Sequence, residues 1–262
     1  MNVLITGSAN GLGLATAKYF ADNNHIVYSC DIVKSQPYNN IKSYELDVTN
    51  INELNNLKQL FETENVNFDL IINFAGIYDI GSFLEKDLLK IKQIIDVNLL
   101  GAINVNQTFY PLLTNKGKII IITSELASLD PLPFNGLYSV SKIALDAYAQ
   151  SLRQELNLKG QKVITVRPGA FNTNLSKGSL EATKKLVEET TLYQKQSKKF
   201  LKIVEMFMGT PKKPEILSKY IYKVSLKKHP KYIYTKNRNI GLGILGKLPK
   251  KLQCFIIKII LQ

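Results

Sequence analysis

A tyrosine and a lysine stand four residues apart in YSVSK, as Tyr138 and Lys142. On a helix, residues i and i+4 share a face, so the ammonium could sit beside the phenol. A free phenol has a pKa of about 10, too high for a base near neutrality. A neighbouring cation favours the phenolate and lowers that value, which would make the pair a proton-transfer device. Spacing alone does not assign this role, because Tyr38/Lys42 and Tyr232/Lys236 repeat it. Tyr38 follows Pro37 in a stretch without helical period. Tyr232 lies in an alternating run that reads as a strand, where residues four apart do not meet as they do on a helix.

A second chemistry-bearing stretch is Thr6-Gly7-Ser8-Ala9-Asn10-Gly11-Leu12-Gly13, between the apolar run NVLIT and a segment of helical spacing. Glycines at such a turn let the backbone approach a pyrophosphate, and the helix start offers unpaired N–H groups to phosphate. Asp31 closes the next apolar run, 18 residues after Gly13. A carboxylate there accepts both ribose hydroxyl protons and repels a 2′-phosphate, so NAD is expected rather than NADP. Lys34 is the one nearby feature that weakens this preference. Asp47, with Val48 in LDVT, follows the expected end of a third strand. It either contacts an adenine amino group or caps the helix beginning near Asn50.

These residues need a scaffold, and the chain alternates two kinds of segment. Apolar runs at 2–6, 25–30, 69–74, 118–123 and 162–166 are nearly continuous in Ile and Val, as in parallel strands covered on both faces. Between them, 12–23, 51–64, 85–112 and 138–158 have helical spacing. This predicts an α/β fold, a doubly wound parallel sheet flanked by helices, in one domain over 1–262 with a cofactor-binding and catalytic core at 1–170. At 262 residues and 45% hydrophobic content the chain can bury a large core. Met1 is followed almost at once by the apolar run VLI, so no signal sequence is expected, and Cys30 and Cys254 are too far apart for a metal or redox spacing. A reduced, cytoplasmic protein without a metal is the expectation.

In the order of these elements the sequence resembles the classical short-chain dehydrogenases/reductases, from residue 2 to about 175. The glycine spacing is T-G-x-x-x-G-x-G. The family's N-N-A-G segment stands as Asn73-Phe74-Ala75-Gly76, with phenylalanine in place of the second asparagine. The resemblance implies Asn98 in DVN, Ser124 in IITSE, Tyr138 and Lys142 as the catalytic set. It also implies Pro168, Gly169 and Thr173 as the clamp on the nicotinamide carboxamide. The family usually has its serine 13 residues before the tyrosine, where this chain has Glu125, which when ionised cannot donate a hydrogen bond. Ser124 is therefore expected as the catalytic hydroxyl, with Ser128 the fallback. By the same analogy Tyr138 exchanges the alcohol proton as hydride moves to or from the nicotinamide, and the positive ring of NAD⁺ adds to the effect of Lys142 on the phenol. Ser124 orients the substrate oxygen, Lys142 also bonds the nicotinamide ribose, and Asn98 positions a water. The implied function is an NAD-dependent alcohol dehydrogenase or ketone reductase acting on a small-molecule secondary alcohol or ketone of the lipophilic class. Alternatives are an NADP-dependent carbonyl reductase, a non-catalytic dinucleotide sensor on this fold, and an extended-type sugar epimerase or dehydratase. Homodimers or homotetramers joined through helices near 99–113 and 139–158 are implied too.

Beyond Pro168–Gly169 the composition shifts. From Lys177 onward there are 20 Lys/Arg against 5 Asp/Glu, a net +15, while the first 176 residues carry 14 against 16, a net −2. No nucleic-acid motif accompanies the charge. A solvated lysine-rich surface, or attraction to an anionic membrane surface or acidic ligand, remains. Residues 174–210 are expected to form the substrate lid, with Leu175, Leu192, Tyr193, Met206 and Phe207 as candidate contacts. A helix over 214–227 and a short run at 231–234 follow. The tail, 241–262, ends in an amphipathic segment from 250 with Lys251, Lys258 and Gln262 on its narrow side. At 13 residues it spans about 20 Å, too short for a bilayer core of about 30 Å. It either docks on protein, the preferred reading, or makes peripheral membrane contact.

Overall fold

The computed structural model describes residues 1–207 and 212–262; the side chains of 174–177 and Phe207 are outside the description. The lid positions Leu175, Phe207 and 208–210 therefore lie, in whole or in side chain, outside the described residues.

Seven strands form one parallel sheet: β1 Asn2–Thr6, β2 Ile26–Asp31, β3 Ile41–Glu45, β4 Phe68–Asn73, β5 Leu113–Ile122, β6 Lys162–Pro168 and β7 Ile233–Lys236. Their spatial order is β3-β2-β1-β4-β5-β6-β7. The order reverses between β1 and β4, and the crevice beyond the strand C-termini at such a point is where a ligand is received in open α/β sheets.

Alternation along the strands sends side chains to two cores. Leu4, Ile71, Ile119, Ile121 and Val163 pack on one face against α2 (Ile51–Thr63), α4 (Gly101–Phe109) and α5 (Gly136–Asn157). Val3, Ile5, Ile72, Ile120 and Ile164 pack on the other against α1 (Gly11–Asp22) and α8 (Pro214–Ser225). A three-layer sandwich results, which explains why the strands read as continuous apolar runs.

The helical stretch expected over 85–112 is broken by local chemistry. It starts as α3 (Leu88–Ile95), widens into a π-helical turn at Asp96–Leu100, continues as α4, and tightens at Tyr110–Leu112, where Pro111 cannot continue the helix. The strand expected at 118 begins earlier, at Leu113, across a register shift opposite Phe68 and Leu70.

Past β6 the chain forms α6 (Asn174–Glu189), α7 (Gln194–Phe207), then α8, β7, α9 (Ile240–Leu245) and α10 (Lys250–Leu261). A third, smaller cluster of Ile80, Phe134, Leu186, Phe200 and Leu261 joins α6, α7 and α10 to the loops beside the crevice. No helix among the described residues is long and apolar enough to cross a membrane.

Candidate active site

The turn after β1 is close-packed backbone against backbone. Gly7 adopts φ +68, and a Cβ there would meet Ala75 N at 2.6 Å; one on Gly13 would meet the Gly7 carbonyl at 2.0 Å. Gly11, at φ +55, faces Thr173, 3.5 Å from where its Cβ would stand. Ser8 anchors the turn by donating to Ile5 O and pairing with the Ser29 hydroxyl, both at 2.8 Å. Asn10 starts α1 without a side-chain cap, and no acid occupies the first helical turn. The helix start is thus left for an anion. At the end of β2, Asp31 Oδ2 accepts the Ala9 N–H at 2.8 Å, which fixes the carboxylate at the rim of the same turn. The Thr6 hydroxyl is buried without a partner. These features fit a dinucleotide.

Four polar side chains converge across the crevice. Asn98 sits in the π-helical turn, fully buried; its Oδ1 accepts Ile77 N–H at 2.7 Å, and its Nδ2 donates to Ile77 O and Ser141 Oγ, both at 2.9 Å. A Cβ on Gly76 would stand 3.1 Å from Asn98 Oδ1 and 3.3 Å from Lys142 Nζ, so the glycine lies close against both polar groups. Lys142 Nζ donates to Ile122 O at 3.4 Å and lies 5.8 Å from the centre of the Tyr138 ring. Ser124 begins the 3-10 turn Glu125–Ser128 and hydrogen-bonds Tyr138. The fallback Ser128 instead donates to Glu125 O at 2.8 Å. Asp146, one turn beyond Lys142 on α5, locks this arrangement. It takes two hydrogen bonds from Arg167 on β6, at 2.9 and 2.6 Å, and one from Thr123 at 3.1 Å. Helix, serine strand and neighbouring strand are thereby held together by charge-assisted bonds.

With this geometry in place, comparison with known proteins is decisive. Residues 1–184 match the family described as short chain dehydrogenase. The chain belongs to that family. Its members are NAD(P)-using oxidoreductases. Among its relatives, a 3-ketodihydrosphingosine reductase of Bacteroides thetaiotaomicron is 29% identical over 233 residues, 88% of this chain and 85% of the relative. A short chain dehydrogenase family protein from Francisella tularensis has the same fold, with TM-score 0.74 and 24% identity over 89% of this chain and 96% of that one. So does a short chain dehydrogenase from Burkholderia cenocepacia, solved in complex with NADP, at TM-score 0.73 and 20% identity, covering 98% and 96%.

The other two Tyr/Lys pairs fall elsewhere in the fold. Tyr38 donates to Asp22 at the far edge of the sheet, and Tyr232 just precedes β7. Pro168 and Gly169 end β6, where a Cβ on Gly169 would meet Asn237 O at 1.9 Å. Asn73 Nδ2 donates to Asn106 Oδ1 at 2.9 Å, while Phe74, in place of the second asparagine, packs with the apolar core. Leu12 packs on that same core, and Val48 lies buried against Gly101.

Asp47 and the electrostatics of the Tyr138/Lys142 pair differ from expectation, and the lid candidates can be placed. Asp47 does not cap α2: its Oδ1 accepts from the Thr49 N–H and hydroxyl at 2.8 Å, and Asn50 is the cap, accepting from Asn52 and Glu53. Lid residues Leu192 and Met206 are exposed, while Tyr193 packs edge-on against Phe134 in the small cluster. The electrostatics also differ from those of an exposed pair. Burial pushes the Tyr138 phenol up, Tyr78 adds to this, and the Ser124 hydrogen bond partly offsets it. Burial likewise pulls the Lys142 ammonium down to about 8. Desolvation therefore dominates both groups in the protein alone.

Three residues escaped the sequence reading. Tyr78 lays its ring against Tyr138, centroids 4.7 Å apart, and lines a cavity of about 630 Å³ whose wall mixes Ile80, Ile94 and Leu186 with Asp79, Glu85, Lys86 and Lys185. Ser141 bridges Asn98 to the Tyr138 carbonyl, to which it donates at 2.8 Å; its place beside Lys142 in YSVSK was the available signal. Glu125 accepts the Asn239 N–H at 2.6 Å, and Oε1 lies 3.0 Å from where a Gly169 Cβ would stand. Its carboxyl, raised by burial and drawn back by Asn239 and Arg238, ties the start of α9 to the turn after β6.

Proposed function

We propose that this chain transfers hydride between NAD(H) and a lipophilic secondary alcohol or ketone, with Tyr138 as the proton-transfer group. One observation carries the reading: Ser124, Tyr138, Lys142 and the Asn98–Ser141 link meet at one point beyond the strand ends, opposite the glycine turn. When bound, the nicotinamide supplies the hydride chemistry. Ser124 orients the substrate oxygen, and Tyr138 takes the alcohol proton or returns it to a ketone. Lys142 stands beside the phenol, and Asn98 holds the loop at Ile77 next to it. Thr6 to Gly13, Ala75, Gly76 and the Pro168, Gly169, Thr173 turn hold the dinucleotide, with Asp31 on its ribose.

The relative named a 3-ketodihydrosphingosine reductase supports a lipophilic substrate, for which the mixed-polarity cavity beside Tyr78 offers Ile80, Ile94 and Leu186. Asp31 favours NAD because its carboxylate repels a 2′-phosphate. Pairing of subunits along α4 and α5 suits exposed Leu100 and Val140. A panel of secondary alcohols and ketones of increasing chain length, followed by NADH and NADPH absorbance, tests the assignment. Long-chain ketones with NADH should give the highest kcat/KM, and Asp31→Ala should raise the NADPH/NADH ratio by about tenfold or more. An unchanged ratio in the variant removes the NAD assignment.

A further inference from the structure

The tail helix α10 uses only part of its circumference to hold on to the protein. Gln253 is buried and donates to Asp130 Oδ2 at 3.0 Å and to Leu248 O at 2.8 Å; Ile257 and Leu261, one and two turns on, join the cluster with Phe134, Leu186 and Phe200. Lys250 reinforces this edge by pairing with Asp130 at 3.3 Å. Going round the helix at about 100° per residue, the uncovered side runs Phe255, Ile259, Leu252, Ile256, Ile260 without a polar interruption, a stripe about 140° wide. Phe255 and Ile259 are each 59% exposed. Lys251 and Lys258 border the stripe on one flank, both exposed. The short helix α9 just before it exposes Ile240 and Ile244 as well.

The charge around this face points to its occupant. From residue 216 to the end there are 11 Lys/Arg and no Asp or Glu. A second copy of the same face would bring lysine against lysine with no carboxylate to answer it, so two-fold self-pairing is disfavoured. At 12 residues α10 is about 18 Å long, well short of a bilayer core of about 30 Å, so it cannot span. An unbroken apolar stripe edged by lysines, on a helix too short to cross, suits the boundary between headgroups and acyl chains of an anionic leaflet. We propose that the uncovered face of α10 docks this protein peripherally on an anionic lipid surface. Because the docked edge of the same helix packs on α7, this places the lid cluster at the lipid surface. The inference does not depend on the catalytic assignment.

Sedimentation of the full chain with vesicles of phosphatidylcholine alone, and of phosphatidylcholine mixed with phosphatidylserine, tests it. Wild type should bind the mixed vesicles and leave the neutral ones largely unbound, with binding weakened by salt. Phe255→Ser/Ile259→Ser should lower binding about tenfold or more, since these side chains supply the buried apolar area. Lys251→Glu/Lys258→Glu should abolish the preference for anionic lipid. Both double variants change exposed side chains, so their melting temperatures should match wild type, which separates lost docking from lost folding. Absence of wild-type binding to mixed vesicles overturns the proposal, and so does equal binding by Phe255→Ser/Ile259→Ser. Light scattering that shows this variant losing an oligomeric state, without any vesicle binding by wild type, assigns the face to a second copy and equally overturns it.

Discussion

Between β1 and α1 a single added methyl at Gly13 would stand 2.0 Å from a backbone oxygen, whereas the lid and tail meet through one cluster of five buried side chains. The first region is backbone locked on backbone around a dinucleotide-shaped turn, with two extensive cores behind it. The second is a lysine-rich shell whose helices leave much apolar surface uncovered, as at Met206, Phe255 and Ile260. A part that recognises an invariant ligand tolerates no adjustment; a part that receives a substrate, or a surface, is held more loosely.

The contrast makes graded predictions. Gly13→Ala has no way to relax, because its clash is with backbone. Dinucleotide binding should be lost and the melting temperature should fall sharply; calorimetric titration with NADH showing wild-type affinity would break the contrast at its strongest point. Next, Leu54→Ala in the first core should cost about 3 kcal/mol, as for a fully buried leucine. Leu261→Ala, at the chain end and in the small cluster, should cost about 1 kcal/mol. Urea titration that gives equal losses would show the tail to be as integral as the sheet. The smallest effect concerns pH. Folding holds the Lys142 ammonium near 8, below the value of about 10.4 for a free lysine. The unfolded chain therefore binds more protons between those values. The penalty is full below about 8 and is relieved as pH rises through that window, so stability should increase relative to Lys142→Met, which lacks the group. Parallel urea midpoints for the two proteins from neutral to alkaline pH would contradict this.

The same contrast governs what could be read from the chain beforehand. The strands, the glycine turn and Asp31 were legible because parallel strands and phosphate turns leave continuous apolar runs and fixed glycines. Asn98, Ser124, Tyr138 and Lys142 were placed through resemblance, and the structure brings them to one point. Tyr78 and Glu125 were not legible as parts of the site, since their partners, Tyr138 and Asn239, are distant in sequence and lie on other elements. Glu125, which stands where the family usually has its serine, is a tie to the start of α9. The π-helical turn carrying Asn98 left no periodic signal, because one widened turn shifts the apolar pattern by a single residue. The direction of the Tyr138 shift depended on burial, which charge spacing does not reveal.

Tyr138→Phe tests the role of Tyr138 as the proton carrier by removing one hydroxyl. Turnover of the best ketone found should fall by about 10³-fold or more, while NADH affinity measured by fluorescence stays within a few-fold of wild type. A variant that keeps wild-type kcat with intact NADH binding would contradict it and would require another proton donor beside the substrate oxygen.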